Sequence, residues 1–286
     1  MLDFLYPIED FFVQKKYISQ TIGGKIKKHT RKEGLPDLSG VQVAIFSLSN
    51  SENILKNSFR DAFYSLYYGN WDIVLADLGN IPEGTTQEDT FVAIREVTAH
   101  LLKQGIIPIL LAEGVENTYA LYRSFDTMEQ MVNLACVNAL FGFSDEYEIF
   151  AEDSYMSRIL METPTQLNHF TNIGYQTYYN PQESIDLLQK MFFESYRLGE
   201  ITSYMEQVEP ILRNTDLVSI DMTSVQASDT DMPKGFVNGF TAREICTISR
   251  YAGLSSQTSV LGIFNPPVSE RGKMLVGEVL WYFIEG

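Results

Sequence analysis

The chain has 286 residues, 45% of them hydrophobic, and a formal net charge of −16. That length and apolar content suit one large α/β domain, or two small ones, with a packed core. The negative charge opposes a nucleic-acid partner, whose phosphates it would repel, and no apolar run is long enough to span a bilayer.

In chain order, Met1-Leu-Asp-Phe-Leu-Tyr-Pro-Ile-Glu-Asp10 carries acids early and no basic start, which is unlike a secretory signal. Lys25 to Lys32 is a basic run that reads as a solvated segment leading to the first strand, or as a site for an anionic ligand or acidic partner. Val41 to Ser47 is continuously apolar and β-branched, which predicts a buried strand. Ile54 to Tyr68 repeats apolar residues at helical spacing and stops before Gly69. Asp72 to Ala76 reads as a strand. Thr86 to Gln104 reads as a long amphipathic helix with Phe91, Ile94, Val97 and Leu101 on one side and Gly105 just past its end. Ile106–Leu111 predicts a strand, Tyr119–Gln130 a helix and Asn133–Val137 a strand. The acidic, aromatic stretch Ser144–Ser154 reads as a peripheral loop and helix insertion, or as a partner-binding segment. Leu167–Ile173 predicts a strand, and Gln182–Phe193 a helix after Pro181. Leu217–Asp221 and Val260–Phe264 complete the strands. Thr241-Ala-Arg-Glu244 is a capping box that opens a helix, and Met274–Ile284 forms the last one. This alternation predicts a mostly parallel sheet with helices on both faces and ligands at the carboxyl ends of the strands. With no linker and no internal repeat, residues 1–286 read as one domain, with 1–40 an N-terminal extension packing on it.

The carboxyl ends of these strands carry the informative residues. They are Asp72-Ile-Val-Leu-Ala-Asp-Leu-Gly-Asn80, Ala112-Glu-Gly-Val115, Asn138-Ala-Leu-Phe-Gly142, Ser219-Ile-Asp-Met-Thr223 and Ser259-Val-Leu-Gly-Ile-Phe-Asn-Pro266. From about Val41 to Phe283 the order of these segments resembles the ureohydrolase family of arginase, agmatinase and formimidoylglutamase. Thr118-Tyr-Ala120, Gly174-Tyr-Gln-Thr-Tyr178 and Phe193-Glu-Ser-Tyr-Arg-Leu-Gly199 look most like its formimidoylglutamase-like members. The resemblance implies a three-layer arginase-like α/β fold and a pair of manganese ions. The family's metal loop Gly-Gly-x-His, strand motif Asp-Ala-His-x-Asp and strand end Ser-x-Asp-x-Asp supply the ligands.

Carried onto this chain, those ligand positions fall on Val115, Asn138, Leu140, Gly142, Asp221 and Thr223. Only Asp221 keeps a carboxylate. The acid that anchors a guanidinium or formimino group in the family falls on Ile263. A manganese pair needs about six hard oxygen and imidazole ligands to hold two dications together. One carboxylate cannot offset their repulsion or activate a water near neutral pH. The expectation is therefore a protein with no metal and no catalytic residue, whose residual cleft holds Glu113, Glu116, Asp221 and Asn265. The alternative is a C–N hydrolase of the formimidoylglutamase or arginase type, acting on a linear amidine or guanidine with manganese. The family also implies a homo-oligomer; a protein or small-molecule partner is left unidentified.

Asp221, Asp229 and Asp231 lie close in sequence and could hold a hard cation, or form a solvated loop. Glu113 and Glu116 could share protons with Asp221 or pair with Arg123. His29, His100 and His169 lie outside any ligand pattern and read as structural or solvated. The two cysteines, Cys136 and Cys246, sit in apolar patterns as buried free thiols, which suits a reducing, cytoplasmic setting. The pairs Tyr67-Tyr68 and Tyr178-Tyr179 beside turns are ordinary rim residues or interface anchors.

Overall fold

The computed structural model describes residues 2–49, 59–128, 130–143, 154–163, 165–233 and 235–286. Its centre is a nine-stranded sheet: β1 (Lys27–Lys28), β2 (Val43–Ser49), β3 (Leu75–Pro82), β4 (Ile107–Ala112), β5 (Val132–Val137), β6 (Leu167–Tyr175), β7 (Glu194–Arg197), β8 (Leu217–Asp221) and β9 (Val260–Phe264). The order is β1-β3-β2-β4-β9-β8-β5-β6-β7, and every pairing is parallel. Parallel strands need helical crossovers, which cover both faces and force the central strands to be apolar throughout. Accordingly β8 and β9 are buried at every position. One core lies on each face of the sheet.

Long elements follow their sequence patterns. Thr86 caps the helix Gln87–Leu102 through a reciprocal capping box with Asp89. The predicted box of Thr241 and Glu244 opens the helix Ala242–Leu254. The last helix starts earlier than its apolar pattern, at Glu270, because the Ser269 hydroxyl caps it through Gly272 N–H.

Other elements differ from expectation. The strand expected at Asp72–Ala76 is Leu75–Pro82 instead. It runs on through Asp77 and Asn80 because both side chains find buried partners. The helix expected over Tyr119–Gln130 is α-helical only at Thr118–Arg123 and then tightens to a 3₁₀ turn, Ser124–Met128, where the Ser124 hydroxyl bonds Leu121 O. The helix expected to reach Phe193 ends at Lys190, and Phe192 adopts φ 57°. Of the helix expected over Ile54–Tyr68, Arg60–Ser65 is helical, and residues 50–58 lie outside the described residues. Nearly all of the acidic stretch expected at Ser144–Ser154 lies outside them too. The edge strands β1 and β7 escape the pattern because they are short and polar.

The residues before β2 wrap the β3 side. Tyr6 and Asn80 exchange backbone hydrogen bonds, and Phe12 stacks edge-on with Tyr64. Beneath them lies a buried polar network. Arg60, 2% exposed, donates from Nε to Asp77 Oδ2 at 2.8 Å and from Nη2 to Asp77 Oδ1 at 3.1 Å. Its Nη1 reaches Asn80 Oδ1 at 2.9 Å, and Tyr64 donates to Asp77 Oδ2 at 2.7 Å. A buried pair of this kind survives only because every charge is met at once. Replacing Arg60→Met should leave the Asp77 charge uncompensated and cost about 3–5 kcal/mol in a urea titration.

Candidate functional site

The register sets the site. Asp221 of β8 lies opposite Phe264 of β9, and Ala112 of β4 lies opposite the same Phe264. The carboxyl ends of β4, β9, β8 and β5 are thus side by side, and Gly114, Asn265, Asp221 and Asn138 follow one another along that edge.

Asp221 is 5% exposed. Its Oδ1 accepts from Thr223 N–H at 2.9 Å and from Asn265 Nδ2 at 3.0 Å. Its Oδ2 accepts from Asn138 Nδ2 at 3.2 Å. Both amides are themselves oriented, since Leu140 N–H donates to Asn138 Oδ1 at 3.0 Å and Gly114 N–H donates to Asn265 Oδ1 at 2.9 Å. Asn265 stands at φ 50°, a left-handed conformation that asparagine tolerates better than most residues. Burial pushes the Asp221 carboxyl above its ordinary range, while the N–H bonds from Asn265, Thr223 and Asn138 act against that rise.

Val115 and Leu140 are partly buried at this edge. Gly142 has φ 76°, and a Cβ built there would lie 2.2 Å from Tyr155 Cε1, in collision with the edge of that ring. The Tyr155 ring therefore occupies the space that a side chain at position 142 would need. Tyr155 is 4% exposed and lies 3.8 Å from Cys136 Sγ; burial raises its phenol well above the ordinary value and pushes the Cys136 thiol up to about 12. Both groups stay protonated at neutral pH. Ile263 is fully buried in β9.

Acids border the edge on the β4 side. Glu83, Glu113 and Glu116 line a cavity of about 250 Å³ beside the start of the helix Gln87–Leu102. Burial raises the Glu116 carboxyl, and the charges of Asp221 and Glu83 add to the rise. Arg123, considered as a partner for Glu113 and Glu116, instead binds Asp126 and Glu162. Asp229 and Asp231 do not join Asp221. Asp229 accepts from Ala242 N–H at 2.8 Å, and Asp231 lies 3.4 Å from Arg271. Among the described residues, no group of three or more His, Cys, Asp and Glu side chains could hold a metal ion, and no helix is long and apolar enough to cross a membrane.

The histidines lie elsewhere: His29 bonds Leu78 O, His100 bonds Gln104, and His169 sits 3.7 Å from Glu194. Both cysteines are free and buried. Tyr155 was not legible as a site residue, because nothing in its local sequence pairs it with Gly142. The clamping role of Asn265 had a weak signal in its place just past a buried strand.

The fold is shared with solved ureohydrolases. A Trypanosoma cruzi formiminoglutamase bound to manganese superposes with a TM-score of 0.76 at 15% identity, covering 92% of this chain and 96% of that one. The formimidoylglutamase of Bacillus subtilis gives 0.72 at 15% identity, covering 86% of each chain. The agmatine ureohydrolase of Thermoplasma volcanium gives 0.71 at 16% identity, covering 96% of each. No family model matches the sequence, and neither does any curated protein.

The Asp221 clamp makes a test of pH dependence. A carboxyl raised on folding binds its proton more tightly folded than unfolded, so its contribution to stability falls as pH rises above about 4 and returns as pH falls. Asp221→Asn removes this titration but turns one N–H group against three existing donors. It should cost about 1–3 kcal/mol at neutral pH and flatten the stability–pH curve above about pH 4 in denaturant titrations.

Proposed function

We propose that this chain is a non-catalytic protein on an arginase-like scaffold, without a manganese pair, whose cleft and surface serve binding or assembly. One observation carries the reading. Both oxygens of Asp221, the only carboxylate among the family-matched ligand positions, are taken up by N–H donors from Thr223, Asn138 and Asn265.

The donor set does not fit two manganese ions. Val115 and Leu140 are hydrocarbon, Gly142 has no side chain, and Thr223 meets Asp221 through its backbone N–H. Asn138 turns its NH₂ group toward Asp221, and its carbonyl oxygen accepts from Leu140 N–H. At Ile263 a hydrocarbon side chain stands where the family would hold an acid against a cationic group, so a formimino or guanidino substrate lacks its anchor.

We further place the protein in a reducing, cytoplasmic compartment and in a homo-oligomer. Two buried free thiols support the first. Exposed aromatic residues support the second, notably Tyr67, Tyr178 and Phe192, of which Phe192 is 87% exposed.

Purified protein soaked in manganese and desalted should carry no stoichiometric metal by elemental analysis, and should release no urea or formamide from arginine, agmatine or formimidoylglutamate. Two manganese ions per chain, or turnover lost in Asp221→Ala, would overturn the reading. Restoring one ligand should not restore activity. Gly142→Asp should in addition lose about 2–5 kcal/mol, since it combines a positive φ with a collision against Tyr155. Sedimentation at micromolar concentration should show a species larger than the monomer.

A further inference from the structure

The opposite end of the sheet carries a feature that the arginase-like cleft does not use. Along β5 and β6 alternate side chains face the same layer, which is closed by the helices Leu198–Ser203 and Val208–Leu212. Toward the carboxyl ends these inward positions are Ala135, Val137 and Ile173, all in the core. Toward the amino ends the same alternation places Asn133, His169 and Thr171 inward, with Glu194 and Tyr196 beside them on β7. A sheet face covered by helices is normally apolar, because polar groups buried without partners cost free energy. Here the polar positions face a cavity of about 690 Å³ that runs from the strand ends to the segment 207–215.

The Asn133 amide in that cavity is taken up by Asp216 and Asn168, but other polar groups there are free to bind. Thr171 and Thr215 are each 4% exposed, both line the cavity, and neither hydroxyl has a hydrogen-bond partner among the described residues. The amides of Gln207 and Asn214 on the outer wall are likewise uncommitted. Tyr196 donates to Glu194 Oε2 at 3.1 Å, and burial beside that carboxylate pushes its phenol up to about 12, so the donor is permanent at neutral pH. Pro210 and Ile211 give the cavity an apolar wall.

We propose that this cavity is a binding site for a neutral, hydroxyl-rich molecule of mono- or disaccharide size. The wall chemistry selects the class. Hydroxyl and amide groups both donate and accept, which matches ligand hydroxyls. The Glu194 carboxylate can accept from two neighbouring hydroxyls, while Pro210 and Ile211 cover the C–H face of a ring. Glu194 and the net charge of −16 oppose phosphates and carboxylates. A single carboxylate with His169 at 3.7 Å is a poor host for a dication or a polyamine.

The test uses the full chain, with glucose, galactose, ribose, sucrose, trehalose and myo-inositol as probes. Putrescine and inorganic phosphate serve as charged controls. Saturation-transfer NMR and titration calorimetry should show at least one sugar or polyol binding saturably at millimolar concentration or below. Thr171→Val, close in shape to the original, and Glu194→Gln, on the exposed edge strand, should each weaken that binding by about 5–10-fold. Thermal melts of both variants would confirm that they fold. Absence of saturable binding by every sugar and polyol would overturn the proposal. So would binding of putrescine or phosphate alone, or sugar binding unchanged in both folded variants.

Discussion

A buried carboxylate organises the centre of this molecule. Asp221 closes β8 at the place where β4, β9, β8 and β5 end together, and it is met there by amide and backbone N–H groups. The bonds form a chain across the sheet edge, from Gly114 N–H to Asn265, from Asn265 to Asp221, and from Asn138 to Asp221. Leu140 N–H then fixes Asn138 from the far side. Each link sets the orientation of the next, so the strand ends are tied into one rigid edge. A buried carboxylate without donors would cost several kcal/mol or take up a proton. Three donors reduce that cost and at the same time take most of the lone pairs that a cation would need.

The same principle acts on β3 with a different solution. Asp77 is also a buried carboxylate at a parallel strand, but its partner is the Arg60 guanidinium, matched in two parallel bonds. The charge there is balanced within the pair. At Asp221 the partners are neutral, so a negative charge remains unmatched in a dry place, and the carboxyls of Asp221 and Glu116 are both raised. The two sites show how far a parallel sheet can carry polar residues inward: as far as partners from neighbouring segments reach.

Most of the fold was legible in the sequence because the central strands are buried on both faces. Leu217–Asp221 and Val260–Phe264 have the predicted bounds, since continuous apolar runs leave no register to guess. The long helices also followed, because periodicity and capping residues agree. What escaped was set by tertiary context. β3 continues past its apolar start only because Arg60, seventeen residues earlier, neutralises Asp77. β7 is legible only as a partner of β6, since Glu194-Ser-Tyr-Arg197 has no strand pattern of its own. At the site, the resemblance located Asp221, Asn138 and Asn265, which do meet. It could not foresee Tyr155 over Gly142, a contact between residues linked by no local pattern, or the pairing of Arg123 with Glu162 instead of the nearby acids.

Geometry and field pull in different directions at the cleft. Asp221, Glu116 and Glu83 share one sign; burial raises the cost of ionising Glu116 most, and the charges of Asp221 and Glu83 add to it. Such a field draws cations toward the edge. Yet a cation that reached Asp221 would have to break its bond with Asn138 or Asn265, and releasing either amide would also free Leu140 N–H or Gly114 N–H from the oxygen it now binds. Cation binding at Asp221 therefore carries the cost of unsatisfied, partly buried N–H groups in the segments that follow β4 and β5. The Glu116 carboxylate accepts from its own backbone N–H, so it is not tied to a neighbouring strand end, and it can relieve the local repulsion by taking up a proton. The field of this edge thus ends on Glu116, at the border of the open cavity, and not on the clamped carboxylate that the fold places at its centre.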